Sequence, residues 1–194
     1  YIQITRGVAR RDHSFPKHSL ASLVMTVKHV SLDTGRQLAG KSAITVPDQR
    51  WDRRDIKTIQ LLPNCLAKQA ASEKGAYEAI MIMPDGSVSE GSSSNVWILN
   101  NENQLITRQP DDDILNGITR QSIQRIAGER QMEIVERSFS VAEMMQAKEV
   151  FVTSATSMVT ALTHIDGKKI DEGKVGLIAS ALKADYIKYV ETCS

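Results

Sequence analysis

At 194 residues the chain has room for one domain or one and a half, and it can bury roughly 70% of its unfolded surface without a metal or disulfide staple. Its 41% hydrophobic and 24% charged residues are ordinary for a globular protein. A net charge of +1, with basic residues dispersed among acidic ones, leaves no nucleic-acid or membrane-surface footprint.

No apolar stretch approaches the ~20 residues needed to span a bilayer, and no signal peptide is legible. Cys65 and Cys193 lie far apart, with no CxxC or metal-type spacing. Neither a disulfide framework nor a metal site is therefore expected, and a reducing cytoplasm fits. The first residue is Tyr1, in a strand-like segment without Met, which reads as an incomplete N-terminus.

"YIQITRG" alternates apolar and polar residues up to Gly7 and predicts a strand over residues 1–7. "LASLVMTVKHV" predicts a longer strand over 20–30, Gly35 and Gly40 mark loops, and "KSAITVP" predicts a third strand over 41–47. A helix is expected over 64–74, with Pro63 near its start and Gly75 just past its end. "EAIMIM" (78–83) is β-like and runs into a Pro84-Asp85-Gly86 turn. "NVWIL" (95–99) and "QLIT" (104–107) flank an Asn-rich turn and make a hairpin.

Ile118, Ile123, Ile126 and Ala127 form a helical stripe over 118–131. Ser140 and Glu143 have the spacing of a capping box, so a short helix should follow Ser140. "EVFVTS" (149–154) and "MVTALTHI" (158–165) read as strands, the second ending in an Asp166-Gly167 turn. Residues 175–190 close as an amphipathic helix through Ile178, Leu182, Tyr186 and Tyr189. Strands and helices mix without strict alternation, which argues α+β rather than a doubly wound sheet.

Four places carry candidate chemistry. Lys57 lies in "RRDIKTIQLL", and its plainer reading is a solvent-facing strand lysine. Its functional reading is an amine in a pocket, where desolvation and nearby Arg50, Arg53 or Arg54 favour the neutral form that attacks a carbonyl. Glu90 precedes a small-residue loop in "VSEGSSSNVWIL"; it is either a turn glutamate or a carboxylate aimed at a pyridinium nitrogen. Gly117-Ile118-Thr119 opens a helix, whose N–H groups and threonine hydroxyl suit a phosphate, although most helix starts bind nothing. "TSATS" (153–157) could add further donors or be only a polar corner after a strand. A serine hydrolase built on Ser92 to Ser94 lacks the G-x-S-x-G elbow.

Together the blocks "DIK…LLPN.LAKQAA..KGAYEAI", "VSEGSSSN", "ILNGITR" and "EVFVTSATS" are far more specific than any one of them. In order and spacing the chain resembles the fold-type IV pyridoxal-phosphate (PLP) aminotransferases over residues 1–183, and most of all their D-amino-acid branch. The resemblance implies an α+β fold of that type with most of the small N-terminal domain missing. Residues 1–33 would be the remainder of that domain and 34–194 the large PLP-binding domain. It implies that Lys57 carries the cofactor as a Schiff base and that Glu90 pairs with the ring nitrogen. Ile118 and Thr119 would hold the phosphate, with Ser154, Ala155 and Thr156 as the partner loop. Leu115 would pack near the ring, with Ser93 and Ser94 on its other side, and Arg50 would stand behind the phenolic oxygen.

In "RGVARRDHSFP", Arg11 and His13 match the pair that traps the substrate α-carboxylate from the neighbouring subunit of a homodimer. A guanidinium fork suits a carboxylate, and an imidazole adds a donor; the plainer reading is a basic surface loop. Two departures stand out. The family's opening strands, with a phosphate-binding arginine and a substrate-contacting tyrosine, have no counterpart in this sequence. Ala161 also stands where relatives usually carry proline, which implies an altered floor to the substrate loop. The expected activity is transamination between D-amino acids and 2-oxo acids, of the D-alanine and 2-oxoglutarate type. The alternatives are an aminodeoxychorismate lyase, a branched-chain or R-amine transaminase on the same scaffold, or a non-catalytic PLP-fold module.

Overall fold

The computed structural model describes residues 1–29 and 40–192, in two compact units divided between residues 32 and 33. The expected boundary at 33/34, the Gly35 loop, the last residue of the expected 20–30 strand and Cys193 lie outside the described residues. In the first unit β1 (Ile2–Thr5) pairs antiparallel with β2 (Ser22–Met25), Ile2 opposite Met25. The second strand is thus shorter than its apolar run, because β1 offers only four residues to pair with. Gly7 leaves β1 at φ 108°, a left-handed conformation open to glycine, and the Arg6 guanidinium lies 4.0 Å over the Phe15 ring.

The second unit is built on one large mixed sheet. Its strands are β3 (Lys41–Pro47), β4 (Glu78–Ile82), β5 (Val88–Gly91), β6 (Asn95–Leu99), β7 (Leu105–Thr107), β8 (Ile134–Glu136), β9 (Glu149–Ser154), β10 (Met158–Ile165) and the short β11 (Lys168–Lys169). The spatial order is β5-β4-β3-β10-β9-β6-β7-β8, with β11 beside β10. The β10–β3, β3–β4 and β7–β8 pairs are parallel, and the others are antiparallel. That mixture is the α+β architecture expected from the element order.

Strand sequences such as "NVWIL" are apolar throughout because both faces of the sheet are covered. Val96, Ile98, Val150 and Val152 join one core, with Phe139 and Met144. Their neighbours Trp97 and Phe151 point the other way, into a core shared with Ile123 and Ala127 of α2 (Ile118–Glu129) and with Ala179 and Leu182 of α4 (Leu177–Thr192). Trp97 sits opposite Phe151 in the β6–β9 register, and their rings stack with centroids 5.8 Å apart. The helix α1 (Leu62–Glu73) lays Ala67 and Ala71 on Ile44, Ala79 and Met81. It starts two residues before the expected position, with Pro63 inside its first turn, where a missing N–H costs nothing. Half of the expected capping box forms: Ser140 Oγ accepts from the Glu143 N–H at 3.1 Å ahead of α3 (Val141–Met145), while the Glu143 carboxylate turns to Arg137.

Three local expectations are corrected. Lys57 is not on a strand. Residues 48–61 are irregular, and side chains and turns take up the backbone there: Arg54 N–H bonds the Asp112 carbonyl at 2.9 Å, and Ile56 N–H bonds that of Arg53 at 3.2 Å. Ile59 is left 70% exposed, so the apolar run does not mark burial. Glu90 is not a turn residue but the third residue of β5, which its serine- and glycine-rich sequence hides. The strand β8 went unread because it has only three residues, paired parallel with β7.

Candidate active site

A cavity of about 960 Å³ opens in the second unit where the ends of three strands meet. Glu90 and Gly91 come from the end of β5, Asn95 from the start of β6, and Thr153 with Ser154 from the end of β9. Antiparallel register makes this meeting obligatory, because Asn95 lies opposite Thr153. Segments 49–64 and 115–119 complete the wall. Eleven residues singled out from the sequence line this one cavity: Arg50, Lys57, Glu90, Ser93, Ser94, Leu115, Ile118, Thr119, Ser154, Ala155 and Thr156. Ala161 does not line it; it lies buried within β10, opposite Phe151. Arg11 and His13 belong to the first unit, where both are exposed.

Glu90 is only 5% exposed and is held on every side. Arg50 Nη1 donates to its Oε1. Asn95 Nδ2 at 3.1 Å and the Leu115 N–H at 3.2 Å donate to its Oε2. Burial pushes the carboxyl up to about 7, although the Arg50 guanidinium beside it pulls the other way. Arg50 in turn gives its Nε and Nη2 to the enclosed carboxylate of Asp48, at 3.0 and 2.7 Å. Burial alone would raise Asp48; the hydrogen bond and charge of Arg50 outweigh it and hold the carboxyl below the usual range. Asp48 and Asn95 were not read from the sequence. An Asp two residues before an Arg and an Asn opening an apolar strand were the only signals.

Lys57 is exposed at the cavity wall. The three arginines expected to favour its neutral form are instead matched to carboxylates: Arg50 to Asp48 and Glu90, Arg53 to Asp55, and Arg54 to Asp48 and Asp113.

On the same cavity α2 begins with Gly117 as N-cap, in extended conformation and without a side-chain cap. The first N–H groups of the helix have no intrahelical partner. Gly117 is required here, since a Cβ would lie 2.5 Å from Asn95 Oδ1. Thr119 is 2% exposed, and among the described residues its Oγ1 has no hydrogen-bond partner. A buried hydroxyl left this way costs free energy until something meets it. The facing 154–157 loop is folded on itself, with Ser154 Oγ 2.6 Å from Ser157 Oγ. The serine loop is clamped from below: Asn64 Nδ2 donates to the Ser92 carbonyl at 2.8 Å, and Ser94 Oγ donates to buried Glu78 at 2.8 Å. Neither Asn64 nor Glu78 was anticipated.

A lysine, a buried carboxylate and an uncapped helix start around one cavity of a mixed sheet make a site fit for a phosphorylated ring cofactor, and comparison with known proteins gives the family. The model of the amino-transferase class IV family matches residues 1–165. The D-alanine aminotransferase of Staphylococcus haemolyticus is 39% identical over the whole chain, which covers 68% of that protein. A solved branched-chain amino acid aminotransferase, complexed with N-(5'-phosphopyridoxyl)-L-glutamate, superposes with a TM-score of 0.71 at 28% identity, over 78% of this chain and 52% of that one. The Escherichia coli branched-chain amino acid aminotransferase, 22% identical, shares the fold with a TM-score of 0.82 over 96% of this chain and 64% of its own. The chain thus spans about two thirds of the D-alanine relative and about half of the first of these solved structures. It belongs to the class IV aminotransferases, a family of pyridoxal-phosphate enzymes.

Proposed function

We propose that this chain transaminates D-amino acids with 2-oxo acids, D-alanine and 2-oxoglutarate being the type pair. The observation that supports this best is the convergence on one cavity of the Lys57 amine, the Glu90 carboxylate and the start of α2. It occurs in a chain 39% identical to a D-alanine aminotransferase. These groups fit pyridoxal phosphate: the unpartnered Thr119 hydroxyl and uncapped helix start suit a phosphate, and the buried carboxyl suits a protonated ring nitrogen. When bound, the cofactor supplies a carbonyl that takes up amino groups and a ring that draws off electrons left at Cα.

The chain's own residues do the rest. Lys57 would hold the cofactor through its amine and would serve as the base that takes the proton from the substrate Cα. Glu90 holds the ring-nitrogen proton. Ile118 and Thr119 bind the phosphate, and Ser154, Ala155 and Thr156 close its other side. Leu115, Ser93 and Ser94 confine the ring. Arg11 and His13 receive the α-carboxylate from the partner subunit of a homodimer. Exposed Ile59, Leu62 and Leu66 support such an assembly, since an isolated chain would leave them in water. A cytoplasmic location goes with this reading.

A branched-chain L-aminotransferase is the second reading, favoured by the solved structure at 28% identity. Full-length enzyme assayed with PLP and 2-oxoglutarate on D-alanine and L-leucine in parallel separates the two. Turnover of D-alanine is expected; turnover of L-leucine alone assigns the second reading instead.

A further inference from the structure

Behind Glu90 runs a buried relay of alternating charge. Glu90 pairs with Arg50, Arg50 with Asp48, Asp48 with Arg54 (3.3 Å), Arg54 with Asp113 (3.0 Å), and Asp113 with Arg108 (2.5 Å). It ties segment 48–54 to segment 108–113, the two stretches that lead into the cavity wall. Asp48 is the hub. Its side chain is wholly enclosed; besides both arginines it accepts Ser89 Oγ at 2.7 Å and its own loop's Arg50 N–H at 3.0 Å. Of the five N–H donors of Arg50, Asp48 takes one on Nε and one on Nη2, and Glu90 takes one on Nη1.

We propose that Asp48 is a positioning residue that sets how firmly Glu90 holds a proton-bearing ring nitrogen, by occupying the fork of Arg50. This rests on the reading of Glu90 as the partner of that nitrogen. A carboxylate faced by an uncompensated guanidinium is a poor acceptor for a second cation, because the first already satisfies its charge. With Asp48 in place, Arg50 is shared, and Glu90 keeps proton affinity to spare. The charged groups bearing directly on Glu90 are Arg50 and Asp48; Arg54 and Asp113 stand further along the relay, buried Glu78 on the paired strand lies beside the adjoining Gly91, and Lys57 lines the same cavity. The β6 strand and the 108–117 segment touch Glu90 only through the neutral donors Asn95 and Leu115.

The test is the full-length holoenzyme reconstituted with cofactor carrying ¹⁵N in its ring, the ring-nitrogen shift being followed against pH. Asp48→Asn is expected to lower the midpoint of ring deprotonation by about one pH unit or more. Asp48→Glu, which keeps the charge, is expected to restore most of that shift. Arg50→Gln should raise the midpoint. Because most of the influence of Asp48 on Glu90 runs through Arg50, with a smaller direct charge effect, the double variant Asp48→Asn/Arg50→Gln should lie within about half a pH unit of Arg50→Gln alone. That last comparison stands even if the single Asp48→Asn chain fails to fold, since both partners of the pair are removed together. An unmoved midpoint in Asp48→Asn, or a double variant more than about half a pH unit from Arg50→Gln, overturns the proposal. If Glu90→Gln leaves the ring titration as in the wild type, it is the reading of Glu90 that falls.

Discussion

Asn95 and Glu90, on strands that do not pair with each other, are joined by one side-chain amide. Asn95 Nδ2 lies 3.1 Å from Glu90 Oε2 and 2.8 Å from the Leu115 carbonyl. A single buried donor thus pins both the carboxylate and the turn that precedes α2. Asn95→Ala leaves both acceptors one donor short. The apoprotein should lose about 1–3 kcal/mol of stability. A urea unfolding curve with an unchanged midpoint would show that the amide is dispensable.

Glu90 makes stability depend on pH in a direction opposite to that of an ordinary salt-bridged carboxylate. Its folded value, about 7, lies above the usual 4.5, so its contribution is complete below about pH 4.5 and is lost as pH rises through 7. The loss is on the order of 3 kcal/mol. Asp48, held low, acts the other way: its contribution is present above the usual 3.8 and is lost only in acid. Glu90→Gln should therefore gain on the wild-type apoprotein between about pH 5 and pH 8 in chemical denaturation. A difference constant across that range would mean that Glu90 is ionised throughout.

Thr119→Val separates ligand binding from folding. Without ligand the buried hydroxyl has no partner, so valine should leave the apoprotein as stable as before or slightly more so. Cofactor affinity should fall by about tenfold, the value of one hydrogen bond of roughly 1.4 kcal/mol. Fluorescence titration with PLP alongside a thermal melt reads both quantities. Equal affinity in the two proteins places the phosphate elsewhere.

Lys57→Ala should abolish the borohydride-reducible adduct with PLP while the fold survives, because the lysine is exposed and carries no core packing. Mass spectrometry that finds the adduct undiminished, or on Lys68, removes Lys57 from its role.

Arg11→Ala should raise KM for D-alanine by an amount equivalent to roughly 1.5–3 kcal/mol, the loss of a charged hydrogen-bond partner. It should affect a carboxylate-free R-amine much less. Equal losses on both substrates, or none on either, would contradict the carboxylate trap.

The sheet was largely legible because its strands are strongly apolar and its turns are marked: "KSAITVP" is β3 to the residue, and Asp166 and Gly167 turn at φ 50° and 74°. The cavity wall was reached through motif order rather than physics, since no single residue in it stands out. What escaped was long-range electrostatics. Asp48 meets Glu90 through Arg50, 40 residues away, and Glu78 reaches Ser92 and Ser94 across a strand pair. Spacing along a chain does not encode such partners. The strand-like reading of 53–62 failed for a related reason: apolar residues there remain exposed, so periodicity carried no information about burial.

The β6–β9 register has a practical corollary for anyone reshaping this protein. Slipping either strand by one residue would break the Trp97–Phe151 stack, force a large ring into the opposite core and move Asn95 off Thr153. Insertions within 95–99 or 149–154 are thus forbidden edits. The Asn-rich turn at 100–103 closes the far end of β6, away from the cavity, and is the natural place to add sequence. Grafts, tags or reporter loops belong there.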